Sequence, residues 1–293
     1  MLNFIKKQKS DIVVTLDRPN ATYLPGETVH ITVDIQPAKE LKIQGAQVKL
    51  SGTEHYQYRM VHYSSGTSGN RTRHENTKWA EQELFAQEAV LLNDAVLPPD
   101  TPQHFTLAIK LPDDALPSYR GQILRVEWEV DAKLDRRLAA DTHEKIGLQV
   151  RAAAPGVKTQ AGAYGTSNEP DQADMALLLP GLEVVAGQTL AGQLRVQAHK
   201  DFNASEVRLE LVCTEYVSFD HGNEQITTTS VRLAGNTQFA SGQTQTFPFE
   251  IAVPQSTPTV QTAHGTARWT IKGILARRLR KDTSVEQELE VYT

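Results

Sequence analysis

Cysteine and long apolar runs are nearly missing from this sequence of 293 residues. The one cysteine, Cys213, excludes an intramolecular disulfide and suits a reducing compartment. The apolar run Met175–Leu179 ends at Pro180 and is far shorter than the roughly 20 residues that a membrane-spanning helix needs. The start, Met1–Lys7 (MLNFIKK), lacks the apolar core of a secretory signal peptide. We therefore expect a cytoplasmic protein without a transmembrane segment.

The sequence also lacks a net positive charge and recognisable catalytic motifs. The 30 Lys and Arg residues are outnumbered by 35 Asp and Glu residues, and a net charge of −5 gives no basis for predicting nucleic-acid binding. No G-x-S-x-G, H-E-x-x-H, phosphate-binding loop or dinucleotide fingerprint occurs. His55, His62 and His74 match no zinc spacing, and Cys213 is expected to be a small buried apolar residue. We predict no catalytic residue, no metal and no cofactor.

What the sequence does contain is one stretch present twice. Trp128–Val150 (WEVDAKLDRRLAADTHEKIGLQV) aligns without a gap with Trp269–Val291 (WTIKGILARRLRKDTSVEQELEV), 141 residues later. The identical pairs are Trp128/Trp269, Leu134/Leu275, Arg136/Arg277, Arg137/Arg278, Leu138/Leu279, Asp141/Asp282, Thr142/Thr283, Leu148/Leu289 and Val150/Val291. The repeat indicates two copies of one domain, with the two tryptophans in the two cores.

A second pair of blocks supports the duplication. Val185–Val196 matches Leu24–Ile35 at an offset of 161 residues, and the glycines Gly26 and Gly187 coincide. A period of roughly 140–160 residues is that of a domain, since solenoid repeats have periods of about 20–50 residues.

The first copy carries an insertion. Nineteen more residues separate Glu54 from Gln103 than separate the matching Glu215 from Gln245. The insertion falls on or near Ser64–Lys78, a stretch rich in Ser, Gly and charge that we expect to form an exposed hairpin tip.

Alternation of apolar and polar residues predicts the fold. Val29, Ile31, Val33 and Ile35 fall on one face, as in a half-buried antiparallel strand. Each half has about seven or eight such segments with turn residues between them. We predict an all-β protein of two tandem immunoglobulin-like antiparallel β-sandwich domains related by internal duplication, with a first domain at 1–151, a Gly- and Pro-rich linker at 152–173 and a second domain at 174–293.

Several of these segments resemble one known family. Tyr23–Val29 (YLPGETV), Gln44–Gly52 (QGAQVKLSG) and the loop Leu116–Gly121 before the strand Leu124–Leu134 resemble the amino-terminal domain of arrestins. Ala186–Leu194 (AGQTLAGQL) resembles the opening of the arrestin carboxy-terminal domain. The resemblance implies relatives such as α-arrestins, the arrestin-like retromer subunit and bacterial sporulation-control proteins, which are binding and scaffold proteins. The Pro-Pro-x-Tyr motif of α-arrestins is missing, so recruitment of ubiquitin ligases does not carry over.

The basic start is one candidate partner site. Lysines near the start of receptor-binding arrestins contact receptor phosphates, and Lys6, Lys7 and Lys9 are in a loosely similar position. Clustered ammonium groups can bind an acidic or phosphorylated segment, or lipid headgroups. The alternative is a solvated basic end that protects a sheet edge from aggregation.

The duplicated charged turns are the other candidates. Arg136, Arg137 and Asp141 follow the long strand of the first copy, and Arg277, Arg278 and Asp282 follow that of the second. The resemblance implies an interdomain polar latch. The residues themselves also fit a charged hairpin in which each Asp starts a turn and the arginines face water.

The function expected from the sequence is that of a non-catalytic adaptor or scaffold. It would bind other proteins through its sandwich faces or edge strands, with Lys6–Lys9 and Ser64–Lys78 as favoured contact regions. An enzyme or enzyme subunit with a ligand site in the interdomain groove is the alternative. Peripheral membrane association is a third, although the acidic composition argues against strong electrostatic attachment.

Overall fold

The computed structural model describes residues 12–65, 71–137, 139–152, 156, 159–218, 222–255 and 257–293. Strands make up 70% of these described residues and helices 0%. Within these ranges, no helical segment has the length and hydropathy needed to cross a membrane. The predicted all-β class is confirmed.

The strands are short in most places and very long in one hairpin. Those of the first half are β1 (Ile12–Leu16), β2 (Thr22–Tyr23), β3 (Thr28–Ile35), β4 (Leu41–Ser65), β5 (Arg71–Leu97), β6 (Gln103–Lys110), β7 (Tyr119–Arg120), β8 (Leu124–Arg136) and β9 (Thr142–Val150). Those of the second half are β10 (Gly162–Tyr164), β11 (Thr166–Ser167), β12 (Ala173–Leu179), β13 (Glu183–Val185), β14 (Thr189–Ala198), β15 (Phe202–Ala204), β16 (Glu206–Val217), β17 (Asn223–Ala234), β18 (Thr237–Phe239), β19 (Thr244–Ala252), β20 (Val260–Gln261), β21 (Gly265–Ala276) and β22 (Thr283–Tyr292).

The chain folds into two compact units. The first unit contains residues up to Glu54, with Glu81–Ser118 and Val126–Arg151. The second unit contains Ala152–Thr293 together with His55–Ala80 and Tyr119–Arg125. The predicted linker, 152–173, contributes the short strands β10 and β11 to the second unit. The predicted domain boundaries stay a prediction.

The first unit is built from two sheets. One has the order β1-β3-β6, and the other has the order β2-β9-β8-β4-β5. The first unit contains β4 up to Glu54, β5 from Glu81 and β8 from Val126, whereas β7 belongs to the second unit. In β3 the side chains of Val29, Ile31, Val33 and Ile35 are buried and those between them are not, as the alternation predicts. The buried faces form one apolar core, because each sheet has one apolar face to cover.

The second unit repeats this plan with extra edge strands. Its sheets have the orders β10-β12-β14-β19 and β11-β22-β21-β16-β17, with β13 parallel to β22 and β20 beside β21. β15 and β18 form a small two-stranded sheet. Both units are antiparallel sandwiches of the predicted type.

The tryptophans show the duplication in atomic contacts. Trp128 Nε1–H donates to the carbonyl of Leu116 at 3.0 Å, and Trp269 Nε1–H donates to the carbonyl of Thr257 at 2.8 Å. Both rings are buried, and both acceptors lie twelve residues before the donor. Each indole therefore fills a core and satisfies its one donor, as a buried tryptophan requires.

The matched glycines show it again in the backbone. Gly26 and Gly187 have φ values of 78° and 81°, in the left-handed region that glycine adopts at no steric cost. Their N–H groups donate to the carbonyls of Pro112 and Val253 at 2.9 and 3.0 Å. The same turn thus closes the same strand in both units.

The predicted hairpin tip is shorter than expected. β4 runs to Ser65 and β5 begins at Arg71, so most of Ser64–Lys78 is strand rather than loop. Cross-strand contacts hold the ends together: Arg59 Nη1 lies 3.0 Å from Glu75 Oε1. Cross-strand side-chain pairs of this kind stabilise strand pairing in a segment whose amino-acid composition predicts a loop.

Candidate functional site

The predicted lysine site lies outside the described residues. Lys6, Lys7 and Lys9 belong to the undescribed start of the chain. Their role stays a prediction.

The first charged turn is held by local contacts. Arg136 N–H donates to Asp141 Oδ1 at 3.4 Å, and Lys133 Nζ lies 2.8 Å from Asp141 Oδ2. The Lys133 ammonium lowers the pKa of Asp141, because a hydrogen-bonded cation favours the carboxylate. Arg137 Nη2 donates to Asp94 Oδ1 at 2.8 Å. Each of these three contacts joins groups of the first unit.

The second charged turn repeats the backbone bond and adds a stronger ion pair. Arg277 N–H donates to Asp282 Oδ1 at 3.0 Å. The Arg277 guanidinium is buried to 9% exposure and lies 3.1 Å from Glu169 Oε2. The guanidinium carbon of Arg277 also lies 5.4 Å from the centre of the Phe202 ring. The aspartates occupy the positions of turn acceptors, and the proposed latch role stays a prediction.

The tip of this turn carries an unusual side chain. Leu279 has a φ of 60° and is 97% exposed, although leucine normally avoids both. Arg278, Arg280 and Lys281 surround it and form no ion pair within the described ranges. The β21–β22 turn therefore presents one exposed apolar side chain next to three cationic residues in the sequence.

A buried carboxylate anchors a loop in the second unit. Glu215, on β16, is 4% exposed. Its Oε1 accepts the N–H of Gln122 at 3.0 Å, and its Oε2 accepts those of Ile123 and Leu124 at 2.9 and 3.2 Å. A Cβ at Gly121 would lie 2.4 Å from this carboxylate, so only glycine leaves room for the approach. The Glu215 carboxylate thus supplies the hydrogen-bond acceptors for three consecutive backbone N–H groups of this loop, a role that a neighbouring strand has in a regular sheet.

The same region holds the single thiol. Cys213 Sγ lies 3.8 Å from the Tyr119 hydroxyl, and both groups are buried. Burial raises the pKa of Cys213 to about 11 and also raises that of Tyr119. Both groups therefore stay protonated at neutral pH, and the thiol is not an activated nucleophile.

Hydrogen bonds also join the long β4–β5 hairpin to the residues around the start of β17. Arg59 Nε–H donates to the carbonyl of Gly222 at 2.7 Å, and Asn223 Nδ2–H donates to the carbonyl of Gln57 at 3.0 Å. These contacts join the distal half of β4 to the start of β17 and the residue before it.

The free side of β5 is a candidate main-chain binding surface. This strand stands at the end of its sheet, with β4 as its neighbour in the described structure. Val90 and Val96 on it are 64% and 58% exposed. Glutamates such as Glu88 are interspersed, and charges on an edge strand oppose aggregation. The edge can accept one further strand, and its charges limit which strands pair with it.

Sequence reasoning missed the anchor carboxylate, although a signal for it existed. Thr53-Glu54 and Thr214-Glu215 are identical in the two copies, and both glutamates are buried. A buried acidic side chain requires hydrogen-bond partners. The presence of a glutamate at the matching position of both copies was therefore the sequence signal for such a site. The described residues contain no group of three or more His, Cys, Asp or Glu placed to hold a metal ion.

Comparison with known proteins covers most of the chain. The family described as arrestin (or S-antigen), N-terminal domain, matches residues 12–153. The family described as SpoOM protein matches residues 171–291. No curated protein matches the chain significantly.

Proposed function

Because the chain belongs to the arrestin-like family, with a sporulation-control relative, we propose that it is a cytoplasmic, non-catalytic adaptor that binds an extended segment of another protein along β5. Arrestin-like domains are in general adaptor or regulatory modules. The observation that carries the proposal is the exposed edge of β5 with its apolar side chains Val90 and Val96.

The edge determines the kind of partner. A strand that adds to a sheet edge gains affinity from main-chain hydrogen bonds and specificity from alternate side chains. Val90 and Val96 favour apolar residues at the facing positions. Glu88, which is exposed and forms no ion pair within the described residues, favours a basic residue opposite it. The proposed partner segment is therefore extended, with apolar side chains facing Val90 and Val96 and a cation facing Glu88.

Affinity capture with edge variants tests this proposal. Val90→Lys with Val96→Lys places two charges on the edge, and we expect it to abolish capture of a partner that the unmodified protein retains from host cytosol. Ile226→Lys is the matched control, since Ile226 is 52% exposed on another edge strand, β17. Retention of the same partner by the double variant, or loss with Ile226→Lys alone, would refute β5 as the site.

The basic start remains a second proposed contact. Changing Lys6, Lys7 and Lys9 together to Glu is expected to weaken capture of acidic or phosphorylated partners. Capture that stays unchanged would remove this contact and leave the β5 site standing.

Contact with an anionic membrane surface is a second candidate function, and the β21–β22 turn favours it. Leu279 is 97% exposed, and burying a leucine side chain is worth about 1.5–3 kcal/mol. Each cation near an anionic surface adds about 1 kcal/mol, which favours Arg278, Arg280 and Lys281 as headgroup contacts.

Vesicle co-sedimentation separates the two functions. Leu279→Ser should release the protein from vesicles rich in phosphatidylserine, while Leu24→Ser, at an exposed leucine of another turn, should not. Equal binding of all three proteins would refute membrane docking by this turn.

An enzyme or enzyme subunit with a ligand site in the interdomain groove remains the alternative. Arrestin-fold proteins are generally non-enzymatic. The described titratable groups with raised pKa values include Tyr119 and Cys213, whose shifts keep them protonated rather than reactive.

A further inference from the structure

A pocket of about 450 Å³ opens at one end of the β20-β21-β16 ribbon in the second unit, and most of its lining residues have polar side chains. Its walls come from the end of β16 and from the loop and strand that follow β20. The lining residues are Thr214, Tyr216, Ser218, Gln261, Thr262, Ala263, His264, Gly265, Thr266 and Arg268.

The chemistry of the lining is one-sided. Five of these residues carry hydroxyl groups, and one each carries an amide, an imidazole and a guanidinium. None of the lining residues is Asp or Glu. Hydroxyl, amide and guanidinium N–H and O–H groups are the donors that bind oxyanions. The pocket is therefore built to receive an acceptor-rich group.

Strand register brings the donors to one face. Thr214 lies opposite Arg268, and Tyr216 lies opposite Thr266. Gln261 lies opposite Thr266 on its other side. Directly opposed side chains in antiparallel strands have Cβ atoms about 4.5–5.5 Å apart, so these five side chains lie next to one another on one face of the ribbon.

Arg268 supplies an uncompensated charge. It is exposed and forms no ion pair or hydrogen bond within the described part of the chain. Arg208, on the neighbouring strand β16, lies instead 2.8 Å from Glu210 Oε1. The Arg268 fork is thus available to an external anion, and Arg forks bind phosphate with two parallel hydrogen bonds.

The floor of the pocket is held in place. Thr262 Oγ1 accepts the N–H groups of Gly265 and His264 at 2.9 and 3.3 Å. The His264 ring stacks on Tyr56 with centroids 4.2 Å apart and planes 8° apart. A Cβ at Gly265 would lie 3.0 Å from the Tyr216 carbonyl oxygen, so the loop sits close against β16. A preorganised loop lowers the entropic cost of binding.

We propose that this pocket is a binding site for a phosphomonoester, with Arg268 as its charged contact and the hydroxyls of Thr214, Tyr216 and Thr266 as donors to the remaining oxygens. A phosphate offers three terminal oxygens to several convergent donors, whereas a carboxylate offers only two. The pocket lies within the 300–1,000 Å³ or so that small-molecule sites occupy. The site is independent of the β5 edge and would let a phosphorylated ligand bind the same protein.

NMR titration of the full chain with inorganic phosphate and with O-phosphoserine tests the site, with acetate as the carboxylate control. We expect saturable shifts of the Gly265 and Thr266 amides with both phosphates and much smaller ones with acetate. Arg268→Gln should weaken phosphate binding at least tenfold. Arg195→Gln, at another exposed arginine without an ion pair in the described residues, should leave it unchanged.

A second variant and a second ligand sharpen the test. Thr266→Val removes one donor without removing charge and should weaken phosphate binding several-fold in a protein of unchanged circular dichroism. A capped phosphoserine tripeptide that binds as tightly as O-phosphoserine would identify a protein side chain as the source, and weaker binding would identify a small metabolite. Shifts spread over the whole surface, or equal losses for Arg268→Gln and Arg195→Gln, would overturn the proposal.

Discussion

Replacing Glu215 with alanine removes the acceptor of three backbone N–H groups in a nearly water-free place. Hydrogen bonds to a charged group contribute about 1.5–3 kcal/mol each, and an unsatisfied buried N–H costs about 1–3 kcal/mol. Part of the loop at Gln122 is accessible enough for water to replace one partner. We therefore expect Glu215→Ala to lower the free energy of unfolding of the second unit by about 3–4 kcal/mol.

A more conservative substitution should lower the free energy of unfolding by a smaller amount. Glu215→Gln keeps the shape but turns one acceptor oxygen into an NH₂ donor that faces backbone N–H groups. Since Oε2 accepts two of the three bonds and Oε1 one, the glutamine loses at least one of them. The expected loss is about 2 kcal/mol.

Urea unfolding and hydrogen exchange measure both effects. With a slope of about 2 kcal/mol per M, the alanine variant should unfold at about 1.5–2 M less urea. The amides of Gln122–Leu124 should exchange faster in the native protein. Glu224→Ala is the control, because Glu224 is an exposed acid on the neighbouring strand β17. A Glu215→Ala value within about 0.5 kcal/mol of this control would refute the anchor.

Three further changes have definite expected outcomes. Burial raises the pKa of Cys213 to about 11, so at pH 8 the thiol stays protonated and should react with a disulfide reagent at least about 100-fold more slowly than in denaturant. A Cβ at Gly52 would lie 2.7 Å from the Trp128 ring, so Gly52→Ala should lower the unfolding free energy by about 1–3 kcal/mol, whereas Gly147→Ala, with 4.0 Å of clearance, should have little effect in the same urea titration. Arg277→Ala should lower the free energy of unfolding by about 1–3 kcal/mol in the same titration, because it removes both the ion pair with Glu169 and the contact with the Phe202 ring. The Glu169 carboxylate keeps its hydrogen bond from the Thr283 hydroxyl.

Each of these has a contrary result. Fast labelling of the native thiol at pH 8 would show that the region opens readily. Equal effects of the two glycine substitutions would show that the tryptophan does not crowd the first. An Arg277→Ala protein as stable as the parent would place this contact among surface ion pairs of negligible value.

The fold was predictable from the sequence because local patterns determine it. The alternation at Val29–Ile35 and the Gly26/Gly187 turns each depend on a few adjacent residues, and the structure shows both. The buried positions of the two tryptophans could be predicted from the repeat alone, since large aromatic rings usually lie in a core. Strand composition and period are properties of short windows, so one sequence suffices.

The binding features were not predictable in the same way. Glu215 reaches amides about ninety residues earlier in the chain, and the pocket combines Thr214 with Arg268 through strand register. No local window contains either arrangement. The edge position of β5 likewise depends on which strands pair, which periodicity does not determine. The exposed Leu279 runs against the rule for leucine, so a pattern-based expectation has no reason to find it.

The adaptor proposal is tested most directly by hydrogen exchange of β5 with and without a captured partner. If an extended segment adds to the edge, amides on the free side of Leu84–Leu92 should become protected in the complex, because main-chain hydrogen bonds slow their exchange. The same amides in the Val90→Lys, Val96→Lys protein should show no protection. A stable complex in which β5 exchanges as fast as in the free protein, with protection elsewhere, would contradict the proposed site.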